Sequence, residues 1–166
     1  MSTYKYVTPY WRDSQTVFGE GVKAYTGTTF FILNHNNERA DVAIHFYDLD
    51  GNLLTDMEVS MLVPPNAVLD MRIVDVISAK DPNYRVSTGL RTGSMRIVSD
   101  VPLVTSGKMY NGRVTSGGDV EDLNVWSIPF EEVPFVKLDL GRIGGEIPIP
   151  DNSYKGYFGR RRPGQK

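Results

Sequence analysis

The chain has 166 residues, 40% of them apolar, with 20 Asp+Glu against 18 Lys+Arg for a formal charge of −2, the size and composition of one globular domain with a sizeable core. It contains no cysteine, which excludes disulfides, thiolate metal sites and thiol catalysis together and suits a reducing cytosol. No run of about 18 apolar residues could span a bilayer, and Met1-Ser2-Thr3-Tyr4-Lys5-Tyr6 lacks the apolar core of a secretion signal, so neither membrane nor export is expected.

Charge is unevenly spread. Residues 1–150 carry 13 Lys+Arg against 19 Asp+Glu, a net of −6, whereas 151–166 carry five (Lys155, Arg160, Arg161, Arg162, Lys166) against Asp151, a net of +4. An acidic body with a basic tail predicts that the tail meets an acidic protein surface, a neighbouring copy, or nucleic acid.

In chain order, residues 1–27 read as an N-terminal arm: Tyr4, Tyr6, Tyr10 and Trp11 lie around Pro9, and Gly19, Gly21 and Gly27 follow. So many aromatics argue against free disorder. From Thr28 to Ile73 four runs of apolar alternation read as a β-meander: Thr28 to Leu33, Val42 to Tyr47, Leu53 to Val63, and Ala67 to Ile73. Asn34-His35-Asn36-Asn37 supplies the first turn, Asp50-Gly51 a tight reversal needing positive φ, and Pro64-Pro65-Asn66 a strand end. Residues 73–84 hold a single helical turn that Asp81-Pro82 stops.

Gly89 to Gly93 reads as a turn-rich lead into a strand over 94–99, with Met95 and Ile97 inward and Arg96 outward. Asp100-Val101-Pro102 turns the chain, Leu103 to Tyr110 is the return strand, and Asn111-Gly112 closes it as a hairpin dipeptide. Thr115 to Asp122 reads as an exposed loop. Asn124 to Phe130 and Val133 to Leu140 resume the strand pattern, separated by Glu131-Glu132. The sum is an all-β chain, an antiparallel β-sandwich of about eight short strands: residues 1–27 an N-terminal arm, 28–140 the sandwich domain, 141–166 a C-terminal basic arm.

Two features carry a family resemblance. They are the order strand, Asn-rich turn, strand, Asp48-Leu49-Asp50-Gly51-Asn52, strand, Val63-Pro64-Pro65, strand, and the later Ser94-Met95-Arg96-Ile97-Val98-Ser99-Asp100-Val101-Pro102-Leu103-Val104. From about Thr28 to Tyr110 the chain resembles the β-sandwich domain of sensory rhodopsin transducer proteins and related small bacterial sandwiches. The resemblance implies a soluble homo-oligomer that binds partners and is not an enzyme; fold alone does not fix function.

The residues by themselves offer no catalytic set. His35 and His45, with Asp41 and Asp48 near in sequence, fall short of the three or four converging ligands a metal needs. Asp48-x-Asp50-x-Asn52 starts like a calcium loop, but its glycine comes too early and its twelfth position is Val59 where a bidentate Glu is required. No Gly-x-Ser-x-Gly elbow occurs, and Gly19-x-Gly21, Gly117-Gly118 and Gly144-Gly145 lack the strand-to-helix context of a phosphate cradle. Glu131 and Glu132 are adjacent on a strand and point to opposite faces, so they cannot flank one glycosidic bond. No catalytic, cofactor or metal residues are assigned, and no cofactor is expected.

Partner-binding residues are expected in the arms: Tyr4, Tyr6, Tyr10 and Trp11 at one end, and Tyr154, Tyr157, Phe158, Arg160, Arg161 and Arg162 at the other. The tail interleaves basic and aromatic side chains, as nucleic-acid binding would use. The expected function is a non-enzymatic structural protein, a virion component such as a capsid decoration, connector or tail accessory protein, made in the cytoplasm. It would join copies of itself and neighbouring structural proteins through its arms. The alternative is a cytoplasmic sensory-transducer-like or carbohydrate-binding β-sandwich module.

Overall fold

Alternating side chains make strands wherever one face can reach a core, and the computed structural model, which describes residues 3–85 and 89–133, contains nine of them. In chain order they are β1 (Tyr4–Val17), β2 (Lys23–Leu33), β3 (Ala40–Tyr47), β4 (Val59–Val63), β5 (Val68–Arg72), then helix α1 (Ile73–Lys80), β6 (Gly89–Ser99), β7 (Val104–Val114), β8 (Val120–Ile128) and β9 (Glu131–Val133). All lie in one compact unit, Met1–Phe135.

Every pairing is antiparallel, and the strands form one sheet in the order β4-β3-β6-β1-β2-β7-β8, with β5 on β2 and β9 on β1. Two long strands make this arrangement. Along its edge away from β6, β1 takes β9 at residues 5–7 and β2 at residues 14–17. Along its edge away from β7, β2 takes β1 at residues 23–26 and β5 at residues 29–33. One lobe is therefore β4-β3-β6-β1-β9, the other β5-β2-β7-β8, and the β1–β2 joint bends the sheet into an open, curled half-barrel. Its core holds Trp11, Phe30, Ile32, Ile44, Phe46, Met95 and Ile97, all essentially sealed from water. The Trp11 and Phe46 rings meet edge to face at 5.6 Å and 84°, a favourable aromatic geometry.

The all-β antiparallel character agrees with the sequence reading, and so does the face pattern of β6, where Met95 and Ile97 are buried and Arg96 is exposed. Gly51 takes the positive φ expected of it, 86°, and the turn closes through the Asp48 N–H donating to the Asn52 carbonyl at 2.9 Å.

Other expectations are corrected. Residues 4–17, read as part of an arm, form β1 in the middle of the sheet, because Tyr6, Thr8, Trp11 and Asp13 are buried on one side of it. The run from Thr28 to Ile73 is no meander: among its four strands β3 pairs with β4 and β2 pairs with β5. The cause is Asn34, which is fully buried. Its amide donates to the carbonyls of Glu38 at 2.8 Å, Val63 at 3.0 Å and Pro64 at 3.1 Å, while its Oδ1 accepts the Asn36 N–H at 3.1 Å. What reads as a hairpin turn is an exposed corner, pinned from within by buried Asn34, that carries the chain from one lobe to the other.

The helical segment is longer than one turn. α1 has eight residues, with Ile73 and Ile77 one turn apart and both buried, and it ends at Asp81 before Pro82 as expected. β7 does not return along β6; it pairs with β2 and β8, so Asp100-Val101-Pro102 is a crossing between lobes. Asn111-Gly112 lies inside β7, and the reversal comes at Thr115 to Asp119, where Gly118 has φ 87°.

Gly27, read as part of the arm, and Gly93, read in a turn-rich lead, lie inside strands because something passes over them. A Cβ on Gly27 would come within 2.6 Å of the Tyr110 ring, and one on Gly93 would collide with the Tyr47 carbonyl oxygen. The run from Val133 to Leu140 is described only at Val133, in β9, and the C-terminal basic arm lies outside the described residues.

Candidate functional site

Pro9 has no N–H to give to a ladder, so β1 cannot run straight past it. The register shows the result: Thr8 opposes Met95 and Trp11 opposes Gly93, leaving Pro9 and Tyr10 against the single residue Ser94. This is a β-bulge, and the side chain that follows it locks it: Trp11 Nε1–H donates to the Ser94 carbonyl at 2.8 Å, and the Thr92 hydroxyl donates to the Trp11 carbonyl at 2.8 Å. Bulges re-aim side chains and collect beside functional sites.

Beside the bulge opens a cleft of ≈ 470 Å³, within the size range of small-ligand sites. Thr8 and Pro9 come from β1, Met95 and Arg96 from β6, Tyr47 from the end of β3, and Glu131 from the start of β9. Thr8 is 1% exposed, and its hydroxyl has no hydrogen-bond partner among the described residues. The Arg96 guanidinium lies over the Tyr47 ring, 5.3 Å from its centroid, a cation–π contact.

A second surface is the strand β8. Among the described residues it pairs with β7 alone and ends the sheet, and its first eight residues are exposed. Leu123 and Val125 are each 56% exposed and Trp126 is 43% exposed. Against β7 the register slips between Asn111 and Arg113, so Asp122 and Leu123 oppose Gly112 alone; Asp122 adopts φ 53° to allow it. Beyond that second bulge, residues 124–128 run regularly to Ile128, which is buried.

The residues expected at a partner surface are divided by the fold. Trp11 is fully buried and Tyr6 is 4% exposed; both serve the chain's own core, since the Tyr6 hydroxyl accepts the Leu103 N–H at 2.7 Å and Trp11 locks the bulge. Tyr4 packs partly buried against that core, and Tyr10, in the bulge, is exposed. Tyr154, Tyr157, Phe158, Arg160, Arg161 and Arg162 lie outside the described residues. Thr8, Arg96 and Glu131 were not singled out as site residues in the sequence. Pro9 inside an otherwise alternating run was the available signal, because a proline there requires an edge or a bulge.

No group of three potential metal ligands occurs among the described residues. His45 Nδ1 meets Glu58 Oε1 at 3.0 Å across β3 and the residue before β4. The Asp48 carboxylate is taken up by its own turn: it accepts from the Asp50 N–H at 2.9 Å, the Asn52 N–H at 2.8 Å and the Asn52 side-chain amide at 2.9 Å. These bonds, led by the Asn52 amide, hold its pKa below the usual carboxylate value. Burial pushes the Tyr6, Tyr84 and Tyr110 phenols up, and for Tyr84 the neighbouring Asp13 adds to the effect. No described helix is long and apolar enough to cross a membrane.

No family model and no curated protein matches the chain. Among solved structures it is similar to the crystal structure of Thermotoga maritima 1070, at 16% identity and a TM-score of 0.47 over 75% of this chain and 90% of that one. It is also similar to the Anabaena sensory rhodopsin transducer, at 22% identity and a TM-score of 0.37 over 60% of this chain and 81% of that one.

Proposed function

We propose that this chain is a non-catalytic β domain that works by joining copies of itself, edge to edge, through β8. The observation that supports it is an edge strand without the usual protection. Natural edges carry lysine, proline or charge to prevent pairing with another chain; Asn124-Val125-Trp126-Ser127-Ile128 has none of these and exposes Val125 and Trp126. Glu121, Asp122 and the bulge lie at the other end of the strand and confine pairing to 124–128. Two copies meeting antiparallel about Trp126 would oppose Asn124 to Ile128 and Val125 to Ser127, so no charge faces a like charge. A virion component is the narrower form of this reading, and recovery of the full chain in a particle fraction would test it.

Sedimentation of the full chain tests edge pairing directly. Wild type should form dimers or larger species at tens of micromolar, and Val125→Lys should be monomeric with its melting temperature little changed, since an exposed substitution moves stability by about 0.5 kcal/mol or less. A wild-type chain that stays monomeric at high concentration would refute the proposal. The second reading, a sensory-transducer-like or small-ligand-binding module, is favoured by the cleft at the β1 bulge.

A further inference from the structure

We propose that the cleft at the β1 bulge binds a small zwitterion with an apolar side chain, a free α-amino acid of the leucine or phenylalanine class. The sheet register sets the charges. Glu131 on β9 stands opposite Val7 on β1, and Val7 stands opposite Arg96 on β6; residues directly opposite one another share a face. A carboxylate and a guanidinium therefore flank one valine on the same side of the sheet. Neighbouring strands lie about 4.8 Å apart, which sets the two backbones about 10 Å apart.

The pair does not close on itself. Arg96 leans the other way, over the Tyr47 ring on β3, and neither Arg96 nor Glu131 has an ion-pair partner among the described residues. The gap between them is floored by Val7 and continues along the apolar wall of Pro9 and Pro129.

Ligand class follows by elimination on charge. An anion would satisfy Arg96 but face Glu131; a cation would do the reverse; a neutral apolar molecule would leave both unmatched. A zwitterion answers both at once, its carboxylate to the guanidinium and its ammonium to Glu131, in charge-assisted hydrogen bonds. Its side chain lies along the apolar wall. The wall is too apolar to suit a sugar, whose hydroxyls need a polar partner each.

The test is calorimetric titration of the full chain with L-leucine, beside leucinamide, which lacks the carboxylate, 4-methylpentanoate, which lacks the ammonium, and glycine, which lacks the side chain. Leucine should bind saturably and each of the other three about tenfold or more weakly, as a site built for a polar group rejects the analogue without it. Arg96→Gln and Glu131→Gln, both at exposed positions, should fold normally and each abolish the preference for leucine over the analogue lacking that residue's partner group. Equal binding of leucine and 4-methylpentanoate, or no saturable binding by leucine or phenylalanine below about 10 mM, would overturn the proposal. Edge pairing is read separately: Val125→Lys should bind leucine as wild type does.

Discussion

The Tyr6 hydroxyl accepts a hydrogen bond from the Leu103 backbone N–H at 2.7 Å, across 97 residues of sequence. The contact ties β1 in one lobe to the residue before β7 in the other, and both partners are buried. Tyr6→Phe keeps the ring and removes the acceptor of that N–H. The variant should lose about 1–3 kcal/mol of unfolding free energy, measured by chemical denaturation. An unchanged midpoint would show that the crossing does not depend on this bond.

Asn34 is a further tie between segments. Its side-chain amide donates toward three carbonyls and its oxygen receives the Asn36 N–H. Asn34→Asp preserves shape but sets a carboxylate against those carbonyls with no proton to share. It should destabilise the fold by about 3 kcal/mol or more, and by more than Asn34→Ala does, because a buried unpaired charge costs more than a lost hydrogen bond. Thermal melts of the two variants, compared with wild type at pH 7, check the ranking; equal losses would contradict it.

The buried phenols give a pH dependence of definite sign. Tyr6, Tyr84 and Tyr110 have pKa values raised above the ordinary 10.0, in each case chiefly by burial. A folded pKa above the unfolded one means the unfolded chain releases its protons first as pH rises. The stabilisation is therefore complete below pH 10 and is lost as pH climbs from there through the folded values. Absorbance at the phenolate band should show these three tyrosines ionising late, together with unfolding, and Tyr84→Phe should remove one late-titrating group. Simple titration of all nine tyrosines near pH 10 would contradict the packing described.

Sequence alone determined the class of this fold and much of its local chemistry. Period-two alternation marked parts of β2 through β7, Asp50-Gly51 marked a reversal with positive φ at Gly51, and Asp81-Pro82 marked the end of α1, because each rests on one residue's backbone limits or on neighbours in the chain. Tertiary structure decided which strand lies beside which. β1 read as an arm because Pro9, Tyr10 and the surrounding polar residues break its alternation, and only the bulge against Ser94 restores Tyr6, Thr8, Trp11 and Asp13 to one buried side. Asn34 read as a turn residue because nothing local shows that its amide will find Val63 and Pro64 some 30 positions away. The cleft was invisible for the same reason. Glu131, Val7 and Arg96 come from three separate parts of the chain, and a shared row exists only once β9 and β6 have taken opposite edges of β1.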